Sequence, residues 1–93
     1  MIKTFANKQT AALFAGLSVR QFDGQWTRAA RAKLAILNRA KTLDDLRVPP
    51  GNRLEMLSGN RAGTYSIRIN GQWRICFRFE GCNAYEVEIV DYH

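Results

Sequence analysis

Arg68, Arg74, Tyr92 and His93 carry the groups in this sequence best suited to act on a phosphodiester. Metal-free cleavage of RNA needs a base for the 2′-hydroxyl, cations for the charge developing on the phosphorane, and an acid for the departing 5′-oxygen. Guanidiniums answer the second need, and a phenol or an imidazole can carry a proton for the others. His93 is the only histidine and stands last in the sequence, so it reads either as that acid or as an inert terminal residue. Lys and Arg number 14 against 8 Asp and Glu, a formal charge of +6, which suits a polyanionic partner. Most of these cations are Arg, the residue that grips phosphate bidentately. Net charge alone fits a merely soluble basic protein equally well. The pattern holds neither a metal-binding carboxylate cluster nor a Gly-rich phosphate loop, because Gly59, Gly63 and Gly71 read as turns rather than helix starts. No metal and no cofactor are therefore expected. Cys76 and Cys82 lack zinc-ligand spacing and read as reduced thiols without a role.

For Arg68 and Arg74 to act together they must share one face of a sheet, and the C-terminal part has the period for it. Tyr65, Ile67 and Ile69 alternate with Ser66, Arg68 and Asn70; Trp73, Ile75, Phe77 and Phe79 with Arg74, Cys76 and Arg78; Tyr85, Val87 and Ile89 with Glu86, Glu88 and Val90. Three antiparallel strands follow, with a short one at Leu54 to Leu57 before them. A two-residue loop at Asn70-Gly71 would put Ile67 opposite Arg74, so an odd loop is predicted, with a bulge at Gly71, and the same parity is expected across Gly81. One face is then apolar. The other carries Arg68, Arg74, Arg78, Glu86, Glu88 and Tyr92, with Arg78 paired to Glu86. The Arg68 and Arg74 end, near Tyr92, has fewer carboxylates and is the candidate site. Trp73, Phe77 and Phe79 belong to the core face, which leaves Tyr92 and Tyr65 as platforms for base stacking.

The apolar face needs a cover, and the N-terminal part supplies helices. Ile2 to Phe5 reads as an edge strand, and Lys8 to Phe14 as a helix ending at Gly16. Asp23 is a good N-cap for a main helix reaching about Lys41, with Trp26, Ala30, Leu34 and Leu37 on one stripe and Arg28, Arg31 and Arg39 opposite. That Arg face reads first as a solvated surface. Leu43 and Leu46 extend the helix by a turn before Pro49-Pro50 halts it. The expectation is an α+β fold, a small antiparallel sheet packed on two N-terminal helices, with residues 1–93 as one domain. The opening Met1 to Phe5 lacks the apolar run of a secretion signal, and nowhere do eighteen apolar residues run together, so a cytoplasmic protein with no membrane partner is expected.

Three stretches carry a family likeness: Leu57-Ser58-Gly59-Asn60-Arg61-Ala62-Gly63-Thr64-Tyr65-Ser66-Ile67-Arg68, then Gln72-Trp73-Arg74-Ile75-Cys76-Phe77, then Glu88-Ile89-Val90-Asp91-Tyr92-His93. Together they resemble the HigB toxins of the RelE/ParE superfamily. The Gly51-Asn52-Arg53-Leu54-Glu55 segment is most similar to a GraT-like branch. The resemblance implies the RelE-like fold and a ribosome-dependent, metal-independent mRNA endonuclease. It also implies control by a HigA-type helix-turn-helix antitoxin, with DNA met only through that complex. By the same resemblance Arg68, Arg74, Tyr92 and His93 are catalytic, and Arg61, Arg68, Arg74 and Asp91 contact RNA. One departure stands out: where a HigB pattern has L-H-P-L-K, this chain has Leu54-Glu55-Met56-Leu57-Ser58, without the His and the Lys. A Glu in that place resembles the YoeB-like branch, which makes Glu55 a general base, the alternative being a solvent-facing side chain. Two other functions fit the same fold: a ParE-like inhibitor of DNA gyrase without nuclease chemistry, and an RNA- or ribosome-binding protein that has lost catalysis.

Overall fold

Local chain chemistry sets the two helices. The computed structural model describes residues 1–22, 24–57 and 63–91. Helix α1 spans Lys8–Phe14 and starts at Asn7, whose side-chain oxygen accepts a hydrogen bond from the Thr10 N–H at 2.8 Å. Helix α2 spans Trp26–Arg39, with Gln25 at its N-cap position. The expected cap, Asp23, lies outside the described residues. The apolar stripe is as the spacing requires, with Ala30, Leu34 and Leu37 fully buried. Arg31, expected on a solvated face, instead closes the end of α1: its Nε donates to the Leu13 carbonyl and its Nη2 to the Leu17 carbonyl. Leu43 and Leu46 do not extend α2. They belong to a separate 3-10 turn, Leu43–Arg47, because Thr42 and Asp45 form a capping box that starts a new element. A second short turn covers Pro50–Asn52.

The sheet has four strands in the order β1-β2-β3-β4: β1 Glu55–Met56, β2 Thr64–Arg68, β3 Trp73–Glu80 and β4 Asn83–Asp91, all antiparallel. Its inner face meets α1 and α2 around Leu13, Leu34, Leu37, Ile67, Ile75 and Phe77. At about 1.5–3 kcal/mol for each large apolar side chain removed from water, this layer is the main source of stability. The expected N-terminal edge strand is reduced to two parallel bridges along β4, Ile2 to Ala84 and Phe5 to Val87.

The first hairpin has the odd loop that the face pattern demands, since Ile67 pairs with Ile75 and Arg68 with Arg74. Its turn is not built on a left-handed glycine at Gly71. Asn70 makes it, its side-chain oxygen accepting from the Gln72 and Trp73 N–H groups, each at 2.8 Å. The second hairpin departs from expectation. Glu80 pairs with Asn83 across a two-residue turn, and the parity is repaired further along β4, where the register shifts opposite Cys76 to Arg78 and Glu86 takes a left-handed φ of 54°. Ala84 therefore fills the core place predicted for Tyr85, which instead pairs beside Arg78.

Candidate active site

Arg74 is the centre of the outer face. Only 6% of it is exposed, although the sequence pattern has it pointing into solvent. The edge strand and the loop before it account for this. Arg74 Nε donates to Ser66 Oγ at 2.9 Å, and Nη2 donates to the Arg53 carbonyl at 2.7 Å and the Ser66 carbonyl at 3.4 Å. The same Nη2 lies 3.9 Å from Glu55 Oε2. A buried guanidinium held on several acceptors is a charge in fixed position, which is what stabilisation of a developing phosphorane requires.

Pairing across the strands sets the partners. Glu55 lies opposite Ser66, which lies opposite Cys76, which lies opposite Glu88. In the next row Arg68 lies opposite Arg74. Residues directly opposite share a face, so Glu55, Arg68 and Arg74 are brought together. The Glu55 side chain stays 52% exposed, open to a substrate hydroxyl. Asp91 is not brought to them: it lies opposite Trp73 on the inner face, where its Oδ2 accepts from Gln72 Nε2 at 3.1 Å. Arg61, Tyr92 and His93 lie outside the described residues. Tyr65 meets Phe77, the ring centroids 6.2 Å apart, on the core side.

Two residues that sequence spacing did not single out border this group. Arg53 adopts a left-handed backbone, φ 45°, which brings its carbonyl onto Arg74. Lys33 of α2 donates to Asn52 Oδ1; burial, and then the neighbouring charge of Arg68, lower its pKa. Its place on the apolar stripe, three residues after Ala30 and four before Leu37, where a charge breaks the pattern, was the only sign in the sequence.

Away from this end the charge changes. Arg78 is occupied by Glu80 at 3.0 Å and Glu86 at 3.5 Å, and these partners raise its pKa, the Glu80 hydrogen bond most. A hollow of about 540 Å³ beside them is lined by Thr4, Phe5, Cys76, Arg78, Glu86 and Glu88. Carboxylates here oppose a phosphate chain, so the Arg68 and Arg74 end is the better place for a scissile phosphate.

Comparison with known proteins agrees with this fold. The chain superposes over its full length on 98% of a chain from the YoeB-YefM complex of Staphylococcus aureus, with a TM-score of 0.63 at 17% identity, a likeness of fold alone. The class is thus a YoeB-like α+β fold of two N-terminal helices and a four-stranded antiparallel sheet. The family described as "RelE-like toxin of type II toxin-antitoxin system HigB" matches residues 3–93, and the chain belongs to that family. It is 31% identical over 97 residues to endoribonuclease HigB of Proteus vulgaris, covering 100% of both chains. It is also 53% identical over 47 residues to toxin HigB-1 of Vibrio cholerae, a match spanning 50% of this chain and 50% of that relative's length.

Proposed function

We propose that this protein is the toxin of a type II pair that cuts messenger RNA on the ribosome without a metal ion, and that a HigA-type helix-turn-helix antitoxin holds it inactive in the cytoplasm. The observation that carries this reading is the half-exposed Glu55 carboxylate 3.9 Å from the fixed, buried Arg74 guanidinium. A base for the 2′-hydroxyl and a cation for the phosphate are then in one place. Arg68 adds a second cation in the same row. Tyr92 and His93 are assigned the remaining proton transfer, His93 as the acid, and Arg61 and Asp91 are assigned to RNA contact. The full-length likeness to a relative named as an endoribonuclease supports the activity. Glu55 within the Gly51-Asn52-Arg53-Leu54-Glu55 segment supports a GraT-like branch of the family.

Labelled mRNA on translating ribosomes provides the test. Shortened fragments whose ends fall in the ribosomal A site are expected on adding the protein, and they should fade when Glu55→Gln or Arg68→Ala replaces it. Intact mRNA accompanied by gyrase-linked DNA breaks would show a gyrase inhibitor instead, and intact mRNA with tight ribosome binding a protein without catalysis.

A further inference from the structure

Asn52 has no part in the chemistry proposed above, yet it is fully buried. Its Nδ2 donates to the Leu46 carbonyl at 3.1 Å and the Val48 carbonyl at 3.3 Å, while Oδ1 accepts from Lys33 Nζ. Its backbone N–H donates to the Pro49 carbonyl at 2.9 Å. One side chain thus ties α2 to both 3-10 turns. The chain then leaves through Arg53, whose left-handed backbone places its carbonyl 2.7 Å from Arg74 Nη2, and two residues later Glu55 begins β1. Arg is a poor residue for that conformation, so the anchored loop on one side and Arg74 on the other must impose it. Lys33 is likewise held where burial and Arg68 both disfavour its charge. A lysine kept for solubility alone would extend into water.

We propose that Lys33 and Asn52 are a positioning pair for the active site: the Lys33 to Asn52 hydrogen bond fixes residues 49–55 against α2 and thereby sets the Arg74 guanidinium against Glu55. The inference rests on the reading of Glu55 and Arg74 as reacting groups. It makes the rate depend on a helix residue that borders the site and acts through the loop rather than on the substrate.

Lys33→Met keeps the aliphatic stem and removes the donor, while Lys33→Arg restores one. With ribosome-bound mRNA as substrate, Lys33→Met is expected to lower kcat about tenfold with KM changed less than about twofold, because misplacement of a fixed group affects the chemical step. Lys33→Arg should recover part of the loss. The ¹H–¹⁵N signal of the Arg74 Nε–H should shift in Lys33→Met, and in Asn52→Ala if that variant folds. A raised KM with unchanged kcat would make Lys33 a direct RNA contact and overturn the proposal. So would an Arg74 signal left in place by Lys33→Met. If the wild-type protein cuts no RNA, the nuclease reading fails, while the Arg74 signal still decides whether the anchor exists.

Discussion

Arg74 differs from Arg68 in a way that alternation of side chains does not reveal. Both alternate away from the apolar core, and on that ground both would be replaceable without harm to the fold. The structure buries Arg74 on Ser66, on the Arg53 carbonyl and beside Glu55, while Arg68 stays half-buried. Arg74→Ala would leave buried acceptors without donors, so we expect it to lower unfolding stability by roughly 2–4 kcal/mol as well as to abolish cleavage. Arg68→Ala should change stability by less than about 0.5 kcal/mol and slow cleavage on the order of a hundredfold. Urea unfolding alongside cleavage rates checks both, and an Arg74→Ala protein as stable as wild type would refute the burial argument. Glu55→Gln keeps the shape of a half-exposed side chain, so it should slow cleavage with the unfolding midpoint unchanged. The face shared by Arg68 and Arg74 was legible because strand alternation fixes it, whereas Glu55 was singled out only by resemblance and its place on that face comes from its pairing with Ser66. The burial of Arg74 was not legible, since it depends on how the loop through Arg53 folds back, and no period in the sequence encodes that.

Among the elements, what could be read was whatever a face pattern over-determines. The odd loop between β2 and β3 followed from keeping Ile67 opposite Ile75, but its means did not: Asn70, rather than a left-handed Gly71, makes the turn. Between β3 and β4 the same reasoning failed, because a bulge at Glu86 repairs parity as well as an odd loop does, and a two-residue turn plus a bulge looks identical in the apolar pattern. The break after α2 was missed for a different reason, the Thr42 and Asp45 capping box being read as part of a continuing helix. That box gives a pH-dependent expectation. Asp45 accepts from the Lys41 and Thr42 N–H groups, and these backbone bonds, Lys41 first, lower its pKa. A depressed folded-state value means the stabilisation is present above the ordinary aspartate pKa of roughly 3.9 and is lost as pH falls through the lower folded value. The melting temperature of Asp45→Asn should therefore lie below wild type at neutral pH, and the two should converge in acid below that window. A difference that persists unchanged in acid would mean the box owes nothing to the carboxylate charge.

At the scale of the molecule, the formal charge of +6 is unevenly used. Arg31 caps α1, Arg78 is neutralised by Glu80 and Glu86, and Arg68, Arg74 and Lys33 gather at one end of the sheet. If that end receives the RNA backbone, binding to ribosome-bound mRNA should weaken steeply with added salt, and Arg68→Ala should flatten the logarithmic slope by about one, the share of a single neutralised phosphate. An unchanged slope would place Arg68 away from the phosphate. No helix among the described residues is long and apolar enough to cross a membrane. The central claim is that side chains alone drive attack by the 2′-hydroxyl on the neighbouring phosphate, and the new 3′ ends of the mRNA fragments record that step chemically. Fragments recovered from translating ribosomes should end in a 2′,3′-cyclic phosphate, open to enzymatic tailing only after the phosphate is removed. Fragments ending in a free 3′-hydroxyl beside a 5′-phosphate would mean that water, not the 2′-hydroxyl, is the nucleophile, and would contradict the account.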